Sequence, residues 1–382
     1  MPRFRFVHAA DLHLDTPFVG ARAETPLIAD VLREATFKAW DRVITTCIEQ
    51  SAAFLLIAGD IFDASLKGLR AQIRFREGLE RLDEQSIPVY VTHGNHDPLD
   101  SLSASLPPPP NTHVLGANMQ MLEVRRDGQV LACITGVSHP HKNESRNLAR
   151  LFPSPPSQFG REVFQVALLH CNVGAETGHD PYAPCELDDL VNAGYQYWAL
   201  GHAHERRILS RSPWVVYPGN TQGRSLREAG PRGCLVIEVD GQDVVEEPLF
   251  VETDAVRWLS SDVDVESVST TQALIDGLLT KCRVLQGEGD GRPVMARLVV
   301  RGRTQLYREL RRPGHLMDLE DAVRERAAAW NPFVSLAVLA LQVRPAIDLS
   351  ALRSTPDFLG ELLRAADELS LEDCLRIWEP LL

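Results

Sequence analysis

Five short polar motifs within the first 204 residues contain the side chains that could do chemistry. They are DLHLD at residues 11–15, GDIFD at 59–63, HGNHD at 93–97, HCN at 170–172 and GHAH at 201–204. Their carboxylate, amide and imidazole groups are ligand types that suit manganese, iron or zinc. A set of this size suits two metal ions that share one carboxylate and together promote hydrolysis of a phosphate ester.

Seven residues of these motifs are predicted to be metal ligands. Asp11 and His13 stand two positions apart, so both side chains can point to one side and hold a first metal. Asp60 follows a glycine that lets the backbone pass close to the ions, and it is the predicted bridging carboxylate. The other ligands are Asn95, His170 and His202 for a second metal, and His204 for the first.

His96, beside Asn95, is the predicted catalytic residue that does not bind metal. Near neutral pH an imidazole can donate a proton or a hydrogen bond to the scissile phosphate or the leaving oxygen. Four residues could orient the ligands, with ordinary loop hydrogen bonding as the alternative: His8, Asp15, Asp63 and His93. Three more histidines are expected at the surface or in loops: His139, His141 and His179.

An apolar run precedes each motif and predicts a strand that ends there. The runs cover residues 4–9, 54–58, 89–92, 163–169 and 197–200. Amphipathic segments between the runs predict helices that cross from strand to strand, which is typical of an α/β fold. The carboxyl ends of strands in such folds meet at one place, so we expect the motifs to lie together.

The chain of 382 residues exceeds what one hydrophobic core usually supports, so more than one unit is expected. Residues 1–252 contain all five motifs. Residues 253–346 have the order strand, helix, strand, helix, strand, which predicts a small α+β domain. Residues 347–382 predict C-terminal helices, the first of which carries an apolar stripe at helical spacing. Packing of this stripe on the rest of the chain and binding of a partner both remain open.

Two local signals predict where the C-terminal helices begin. Thr355 and Pro356 are typical of a helix start with proline in the first helical position. Ser370 and Asp373 resemble a capping box for a second short helix.

The composition limits the classes of protein to which the chain could belong. A net charge of -13 argues against nonspecific coating of nucleic acid, although local basic patches remain compatible with it. Seven scattered cysteines without a CxxC pair favour reduced, buried thiols. No apolar stretch is long enough for a membrane span or a signal peptide, so a cytoplasmic location without membrane contact is expected.

The motifs resemble those of the calcineurin-like metallophosphoesterases and, among these, the SbcD-type DNA repair nucleases. Six strings are similar to the bacterial YhaO-type exonuclease branch: DLHLDTPF (11–18), GDIFD (59–63), HGNHD (93–97), YAPCELDDL (182–190), YWALGHAH (197–204) and YPGNTQGRS (217–225). The resemblance covers roughly residues 1–250. It implies a metallophosphoesterase β-sandwich flanked by helices, followed by a capping domain that contacts DNA.

The resemblance also implies cofactors and partners. Two divalent ions are expected, typically Mn²⁺, with iron or zinc as alternatives. The first would be held by Asp11, His13, Asp60 and His204, and the second by Asp60, Asn95, His170 and His202. DNA is the implied substrate, a coiled-coil ABC ATPase of the SbcC type the implied partner, and a homodimer the suggested assembly.

Four further residues are candidates to contact substrate. Eukaryotic and archaeal relatives have a second active-site histidine three positions after the bridging aspartate, where this chain has Asp63, so the role of that position stays open. Arg206, Arg224 and Arg227 are candidate phosphate contacts, with solvated surface arginine as the alternative.

The sequence therefore predicts a metal-dependent DNA nuclease, an exonuclease that could also cut internally, acting in repair or end processing. Two alternatives remain. One keeps the metal site but assigns a small-molecule phosphodiesterase or phosphatase. The other is a DNA-end-binding scaffold subunit of an ABC ATPase complex, in which catalysis is secondary.

Overall fold

The computed structural model describes residues 3–21, 25–63, 68–101, 106–155, 163–174 and 181–368. The strands are β1 (Phe4–Ala9), β2 (Leu55–Ala58), β3 (Val89–Thr92), β4 (Thr112–Val114), β5 (Gln120–Arg126), β6 (Gln129–Val137), β7 (Phe164–His170), β8 (Tyr197–Gly201), β9 (Arg207–Arg211), β10 (Trp214–Tyr217), β11 (Gly233–Asp240), β12 (Asp243–Val244), β13 (Leu249–Glu252), β14 (Arg257–Asp264), β15 (Val294–Thr304) and β16 (Val334–Pro345). The helices are α1 (Pro26–Glu49), α2 (Leu69–Glu84), α3 (Leu187–Val191), α4 (Thr271–Glu288), α5 (Tyr307–Leu310), α6 (His315–Ala328), α7 (Leu349–Arg353) and α8 (Phe358–Glu368).

Strands β1–β13 form two mixed sheets that pack face to face as a sandwich. The first sheet has the order β12-β11-β1-β2-β3-β4, with β13 also paired to β11, and the second has the order β5-β6-β7-β8-β10-β9. The predicted strands before the five motifs are β1, β2, β3, β7 and β8. They run parallel to one another within each sheet, so their carboxyl ends share one end of the sandwich.

Aromatic side chains fill the space between the two sheets. Phe6 stacks on Phe54 with ring centroids 4.8 Å apart, and Tyr197 of the second sheet meets Phe6 edge-on at 5.2 Å. Val7 and Ala9 point to the opposite face of β1, where α1 and α2 cover the sheet. Because both faces of β1 are buried, the strand reads as a continuous apolar run, and its carboxyl end is held firmly.

Helices α1 and α2 form the outer layer of the first sheet. The side chain of Thr25 caps α1 by accepting a hydrogen bond from the Ile28 amide at 3.2 Å. The helices approach closely, since a Cβ atom on Gly78 would lie 2.2 Å from Nε1 of Trp40. This layer buries the outer face of β1, β2 and β3, three of the strands that end at the motifs.

Strands β14, β15 and β16 form a third sheet in which all pairing is parallel. Helices α4 and α6 connect the strands, so the predicted order of elements over this part of the chain is present. Leucine and valine side chains such as Leu278, Leu298 and Val300 make a core of its own under these helices. We call residues 257–345 the second unit.

The segment that leads into the second unit is anchored on the sandwich. Oε1 of Gln222 accepts a hydrogen bond from the Ala255 amide at 2.6 Å, and Nε2 donates to the Val256 carbonyl at 2.7 Å. Trp258 donates from Nε1 to the Gly223 carbonyl at 3.1 Å and stacks on Phe18 at 6.1 Å. The second unit therefore packs on the chain segments that follow the DLHLD motif and the YPGN string.

Helices α7 and α8 follow the third sheet. The predicted helix start at Thr355 is wrong, because Asp357 is the capping residue: its Oδ1 accepts from the Gly360 amide at 2.8 Å. Pro356 thus precedes α8, which begins at Phe358. The apolar stripe is exposed on the described part of the chain, with Phe358 79% accessible. Ser370 and Asp373 lie outside the described residues.

Two expectations from composition concern cysteines and membrane spans. The six cysteines within the described ranges are free and buried, as predicted for them, and Cys374 lies outside those ranges. Among the helices that the structure describes, none combines the length and apolar character that crossing a membrane requires.

Candidate metal centre

The carboxyl ends of β1, β2, β3, β7 and β8 bring all seven predicted ligands together. Asp11, Asp60 and Asn95 follow strands of the first sheet, whereas His170 and His202 come from strands of the second. His13 and His204 lie two positions after a ligand in their own loops. Six of the seven are almost completely buried, and His204 keeps 13% of its side chain accessible.

The first group of ligands consists of Asp11, His13 and His204, whose ligand atoms all lie within 4.8 Å of one another. Nε2 of His13 is 3.2 Å from Nε2 of His204, which is 4.0 Å from Oδ1 of Asp11. Two imidazole nitrogens and a carboxylate that converge in this way match the donor set of a divalent transition metal.

The second group forms around Asp60 and His170, with Asp11 also in reach. Nε2 of His170 lies 3.4 Å from Oδ2 of Asp60 and 3.0 Å from Oδ1 of Asn95. The ring of His202 is 5.3 Å from that of His170. Oδ2 of Asp60 is also 3.9 Å from Nε2 of His13 in the first group. One carboxylate oxygen therefore faces both groups, as a bridging ligand requires.

Left-handed backbone turns aim the ligands at a common point. Asp11, His13, Asp60 and His202 have φ angles of 53°, 42°, 53° and 108°. Side chains rarely tolerate this conformation, and such residues are concentrated at functional sites, where the surrounding structure compensates for the strain. The four residues lie in the loops that follow β1, β2 and β8.

Three glycines allow the loops to approach the ligands. A Cβ atom on Gly94 would lie 2.3 Å from Oδ1 of Asp60, and one on Gly59 would lie 2.5 Å from Nδ1 of His170. A Cβ atom on Gly201 would lie 1.7 Å from the Ala58 carbonyl oxygen. Any side chain at these positions would separate the ligand loops, so the close approach of the loops requires glycine in these three motifs.

Asp97 supports the centre, although the sequence pattern did not single it out. Oδ1 accepts hydrogen bonds from the Asp60 amide at 3.2 Å and the Gly94 amide at 2.8 Å, while Oδ2 accepts from Ile61 at 2.9 Å. Nδ1 of His93 lies 3.0 Å from Oδ2. The buried carboxylate joins the loops after β2 and β3. Its position in the HGNHD motif was the available signal.

Burial controls the protonation of the ligands. It raises the pKa of Asp11 to about 8, and burial together with the charges of Asp97 and Asp11 raises the pKa of Asp60 well above its ordinary value. Burial also lowers the pKa of His13 and of His170. The imidazoles of His13 and His170 are therefore uncharged at neutral pH and can donate a lone pair to a metal ion. Divalent cations would supply the positive charge that stabilises the buried carboxylates in their ionised form. The residues fit a pair of metal ions.

His96 and Asp63 lie at the accessible edge of the centre. The His96 amide donates to Oδ1 of Asp60 at 2.9 Å, and its ring is 5.0 Å from that of His13. The side chain is 37% accessible, and Nδ1 is 3.6 Å from Oδ1 of Asp63. An imidazole in this position can reach a substrate bound over the ligands, with the carboxylate of Asp63 behind it.

The predicted phosphate contacts separate into two groups. Arg224 is largely buried, and Arg227 lines a surface cleft of about 920 Å³ that also borders His204. Arg206 points elsewhere, with its guanidinium 4.6 Å from the centre of the Phe250 ring. Arg224 and Arg227 are thus near the centre, whereas Arg206 is not brought to the ligands.

Several histidines have structural rather than ligand roles. His8 lies 3.0 Å from the Tyr197 hydroxyl and 3.2 Å from the Leu200 carbonyl, and burial lowers its pKa to about 3. His139 lies in the loop after β6, one of the two expected locations, but it is fully buried, with Nε2 2.7 Å from the carbonyl oxygen of His170. His141 is exposed, as predicted, and His179 lies outside the described residues.

The ligand histidines are oriented by acceptors that the sequence did not reveal. Nδ1 of His170 donates to the Ala58 carbonyl at 2.8 Å, and Nδ1 of His204 lies 2.7 Å from Oε1 of Glu228. A carbonyl oxygen can only accept, so Nδ1 of His170 carries the hydrogen and Nε2 is free to bind metal. Glu228 lies 24 positions after His204 and in none of the ligand motifs.

Residues 4–206, more than half of the chain, match the family model described as calcineurin-like phosphoesterase. The chain belongs to the calcineurin-like phosphoesterases. A second model, described as the middle domain of metallophosphoesterase YhaO, matches residues 258–344 of this phosphoesterase. The resemblance drawn from the motifs is confirmed at this level, and so is the fold class.

Three relatives show how far the similarity extends. A protein of Bacillus subtilis (strain 168) named "Uncharacterized metallophosphoesterase YhaO" is 33% identical over 97% of this chain and 88% of its own length. The "DNA double-strand break repair protein Mre11" of Thermoplasma acidophilum is 26% identical over 65% of this chain and 69% of its own. A second B. subtilis protein, named as one of the subunits of the nuclease SbcCD, is 27% identical over 59% of this chain and 63% of its own.

Family membership and the Asp/His groups make the chain a metal-dependent phosphoesterase, and hence a hydrolase that binds divalent metal ions.

Proposed function

We propose that this phosphoesterase is a metal-dependent DNA nuclease that hydrolyses phosphodiester bonds. It would act as an exonuclease and could also cut internally as an endonuclease. The observation that carries the proposal is the buried pair of ligand groups joined by Asp60, at the border of a surface cleft. Two of the relatives are named as a DNA repair protein and as part of a nuclease, which supports DNA as the substrate.

We assign the seven ligands to two ions. Asp11, His13, Asp60 and His204 would hold the first, and Asp60, Asn95, His170 and His202 the second. Mn²⁺ is the proposed metal, with iron and zinc as alternatives that the donor set also suits. When bound, such a pair supplies an activated water and neutralises charge on the phosphoryl oxygens.

The protein's own catalytic residue is proposed to be His96. Its ring lies beside the first ligand group, is partly accessible, and is not among the converging donors. It would donate a proton or a hydrogen bond to the leaving oxygen of the scissile phosphate. Asp63, with Oδ1 3.6 Å from Nδ1, would orient the ring.

The cleft beside His204 is the proposed path for the nucleic-acid strand. Arg227 and Arg207 line it together with apolar side chains of Val19 and Leu226, so both phosphates and bases could find partners there. An open cleft that borders the ligands suits a polymer better than an enclosed pocket would. Arg224 and Arg227 are proposed phosphate contacts, and Arg206 is not retained for this role because its guanidinium lies over Phe250.

The remaining parts of the chain are assigned by the same proposal. Residues 1–252 would be the nuclease domain, 253–346 a capping domain that contacts DNA, and 347–382 a segment that binds an SbcC-type coiled-coil ABC ATPase. The exposed apolar residues Phe358 and Leu362 of α8 support the last assignment. A homodimer and a cytoplasmic location complete the proposal.

Digestion of end-labelled DNA tests the proposed substrate. Metal-free protein would be reloaded with Mn²⁺ and incubated with linear duplex, single-stranded DNA and, in parallel, bis(p-nitrophenyl) phosphate. The proposal expects Mn²⁺-dependent shortening of DNA that His96→Ala abolishes. Rapid cleavage of the small diester with intact DNA would favour the small-molecule phosphodiesterase, which the net charge of -13 also suits. DNA-end binding without hydrolysis of any ester would favour the scaffold.

A further inference from the structure

A tight turn after the YPGN string brings Glu228 next to the metal centre. Leu226–Glu228 forms a short 3-10 helix, and the Glu228 amide donates to the Ser225 carbonyl at 3.0 Å. A Cβ atom on Gly223 would lie only 2.5 Å from the Glu228 carbonyl oxygen. The turn is therefore tightly packed, and its backbone fixes the position of Glu228.

Both carboxylate oxygens of Glu228 are used. Oε1 lies 2.7 Å from Nδ1 of His204, and Oε2 accepts from the backbone amide of Arg224 at 2.6 Å. Nη2 of Arg224 is 3.5 Å from Oε1 as well. The side chains of Glu228 and Arg224 are each 12% accessible, so these contacts are shielded from water.

The contact with His204 bears on metal binding. An ionised carboxylate only accepts hydrogen bonds, so Nδ1 of His204 carries the hydrogen and Nε2 keeps its lone pair. Nε2 is the atom that lies 3.2 Å from His13 and 4.0 Å from Asp11 in the first ligand group. Acceptors behind metal-binding histidines fix the tautomer and the ring orientation in this way.

The contact with Arg224 bears on the substrate. The backbone of Arg224 is held from two sides, because its carbonyl accepts from the Val19 amide at 2.8 Å while its amide donates to Glu228. Val19 follows the DLHLD loop, which contains two ligands of the first group. The carboxylate of Glu228 thus joins the proposed phosphate contact to the ligand loops.

We propose that Glu228 is a positioning residue that holds His204 in its metal-binding tautomer and simultaneously fixes Arg224 beside the first metal site. The inference rests on the proposed metal assignment, and it adds a dependence of that site on a residue outside the ligand motifs. Affinity for the first metal, and not for the second, depends on this carboxylate.

Binding of Mn²⁺ to the metal-free protein tests the proposal without any substrate. Titration calorimetry or competition with a fluorescent chelator measures this binding. Glu228→Gln keeps the size of the side chain but replaces one carboxylate oxygen with NH₂, so either Nδ1 of His204 or the Arg224 amide then faces a donor instead of an acceptor. We expect one of two Mn²⁺ sites to weaken by about 10–100-fold and the other to stay unchanged. Glu205→Gln is the matched control, because that glutamate borders the same cleft but is 66% accessible and pairs with Arg207.

A second variant guards against a trivial loss of folding. Glu228→Asp keeps the carboxylate but shortens the side chain by one methylene, so it should weaken the same site while the melting temperature of the metal-free protein changes little. Wild-type affinity at both sites in Glu228→Gln would overturn the proposal, as would equal weakening of both sites. If the wild-type protein binds two Mn²⁺ ions but cuts no DNA, the nuclease proposal fails while the role of Glu228 remains measurable.

Discussion

The sandwich and the second unit both contain parallel strands joined by helices, yet they place different residues at the carboxyl ends of those strands. In the sandwich these ends carry buried aspartates, histidines and an asparagine. In the second unit β14, β15 and β16 end at Asp264, Thr304 and Pro345. Within the part of the chain that the structure describes, the Asp/His groups able to hold a metal all belong to the sandwich.

The difference follows from the number of sheets. Ligands of the candidate centre come from two facing sheets, with Asp11 and Asp60 on one and His170 on the other, so donors can surround an ion. A single three-stranded sheet offers strand ends in one row only, and its helices bury an apolar face instead. The same kind of parallel strand–helix–strand connection therefore contributes to a metal centre in one region and to an apolar core in the other.

Replacement of the bridging carboxylate should have the largest effect. Asp60→Asn leaves a neutral amide where both ligand groups need a shared negative charge, so we expect Mn²⁺ content to fall below two ions per chain and diester hydrolysis to reach background. The metal-free variant should melt no lower than wild type, because a buried carboxyl with a raised pKa has been removed. Metal analysis, turnover and thermal melts check this. Asp262→Asn, at an exposed position of β14, is the control.

Loss of the proposed acid should reduce the rate without affecting the metals. His96→Ala is expected to lower kcat for a phosphodiester by about 10²–10⁴-fold, the usual contribution of a general acid. Mn²⁺ stoichiometry should stay at the wild-type value. The exposed His141→Ala provides the comparison and should keep full activity. Near-normal turnover in His96→Ala would assign proton transfer to another group.

A core substitution in the second unit should lower stability and leave metal binding unchanged. Leu298 is fully buried there, and Leu298→Ala should lower the free energy of unfolding by about 2–5 kcal/mol. Mn²⁺ affinity should be unchanged, because the second unit contributes none of the converging donors. Met317→Ala, at a side chain 58% accessible, should change stability little. Weaker metal binding in Leu298→Ala would mean that the two regions are not separable.

The smallest expected effect is the pH dependence of stabilisation by metal. Burial raises the pKa of Asp11 to about 8 and that of Asp60 above its ordinary range. Each group keeps its proton in the folded metal-free chain above the unfolded pKa of about 4, so this contribution to stability falls as the pH rises toward the folded pKa.

Metal ions bind the deprotonated carboxylates, so they gain the advantage at higher pH. The rise in Tm caused by Mn²⁺ should therefore be greater at pH 8 than at pH 6, and scanning calorimetry with and without the metal measures it. Asp60→Asn should lose much of this dependence. An equal rise at both pH values would contradict the protonation of the buried carboxylates.

Much of the fold follows from local patterns. The apolar runs predicted β1 and β3 at their observed bounds, because strands buried on both faces are continuous apolar segments with polar ends. The order of elements in the second unit also followed from periodicity. All seven ligand candidates lie at the predicted strand ends, since the carboxyl ends of neighbouring parallel strands are neighbours in space.

What the sequence did not reveal depends on contacts across the fold. Glu228 supports His204 only because the turn after Gly223 folds back on the GHAH loop. His139 is buried beneath His170, although its surroundings in sequence are polar. Asp357, and not Thr355, caps α8. Both residue types are good helix caps, and only the path of the backbone distinguishes them. Long-range partners of this kind leave no periodic signal.

Anomalous diffraction at the manganese edge, from crystals grown with Mn²⁺, shows whether Asp60 bridges two metal ions. We predict two peaks about 3.5–4 Å apart on either side of Asp60, one beside His13 and His204 and the other beside His170. A single peak, or peaks away from the strand ends of the sandwich, would contradict a two-metal centre bridged by Asp60.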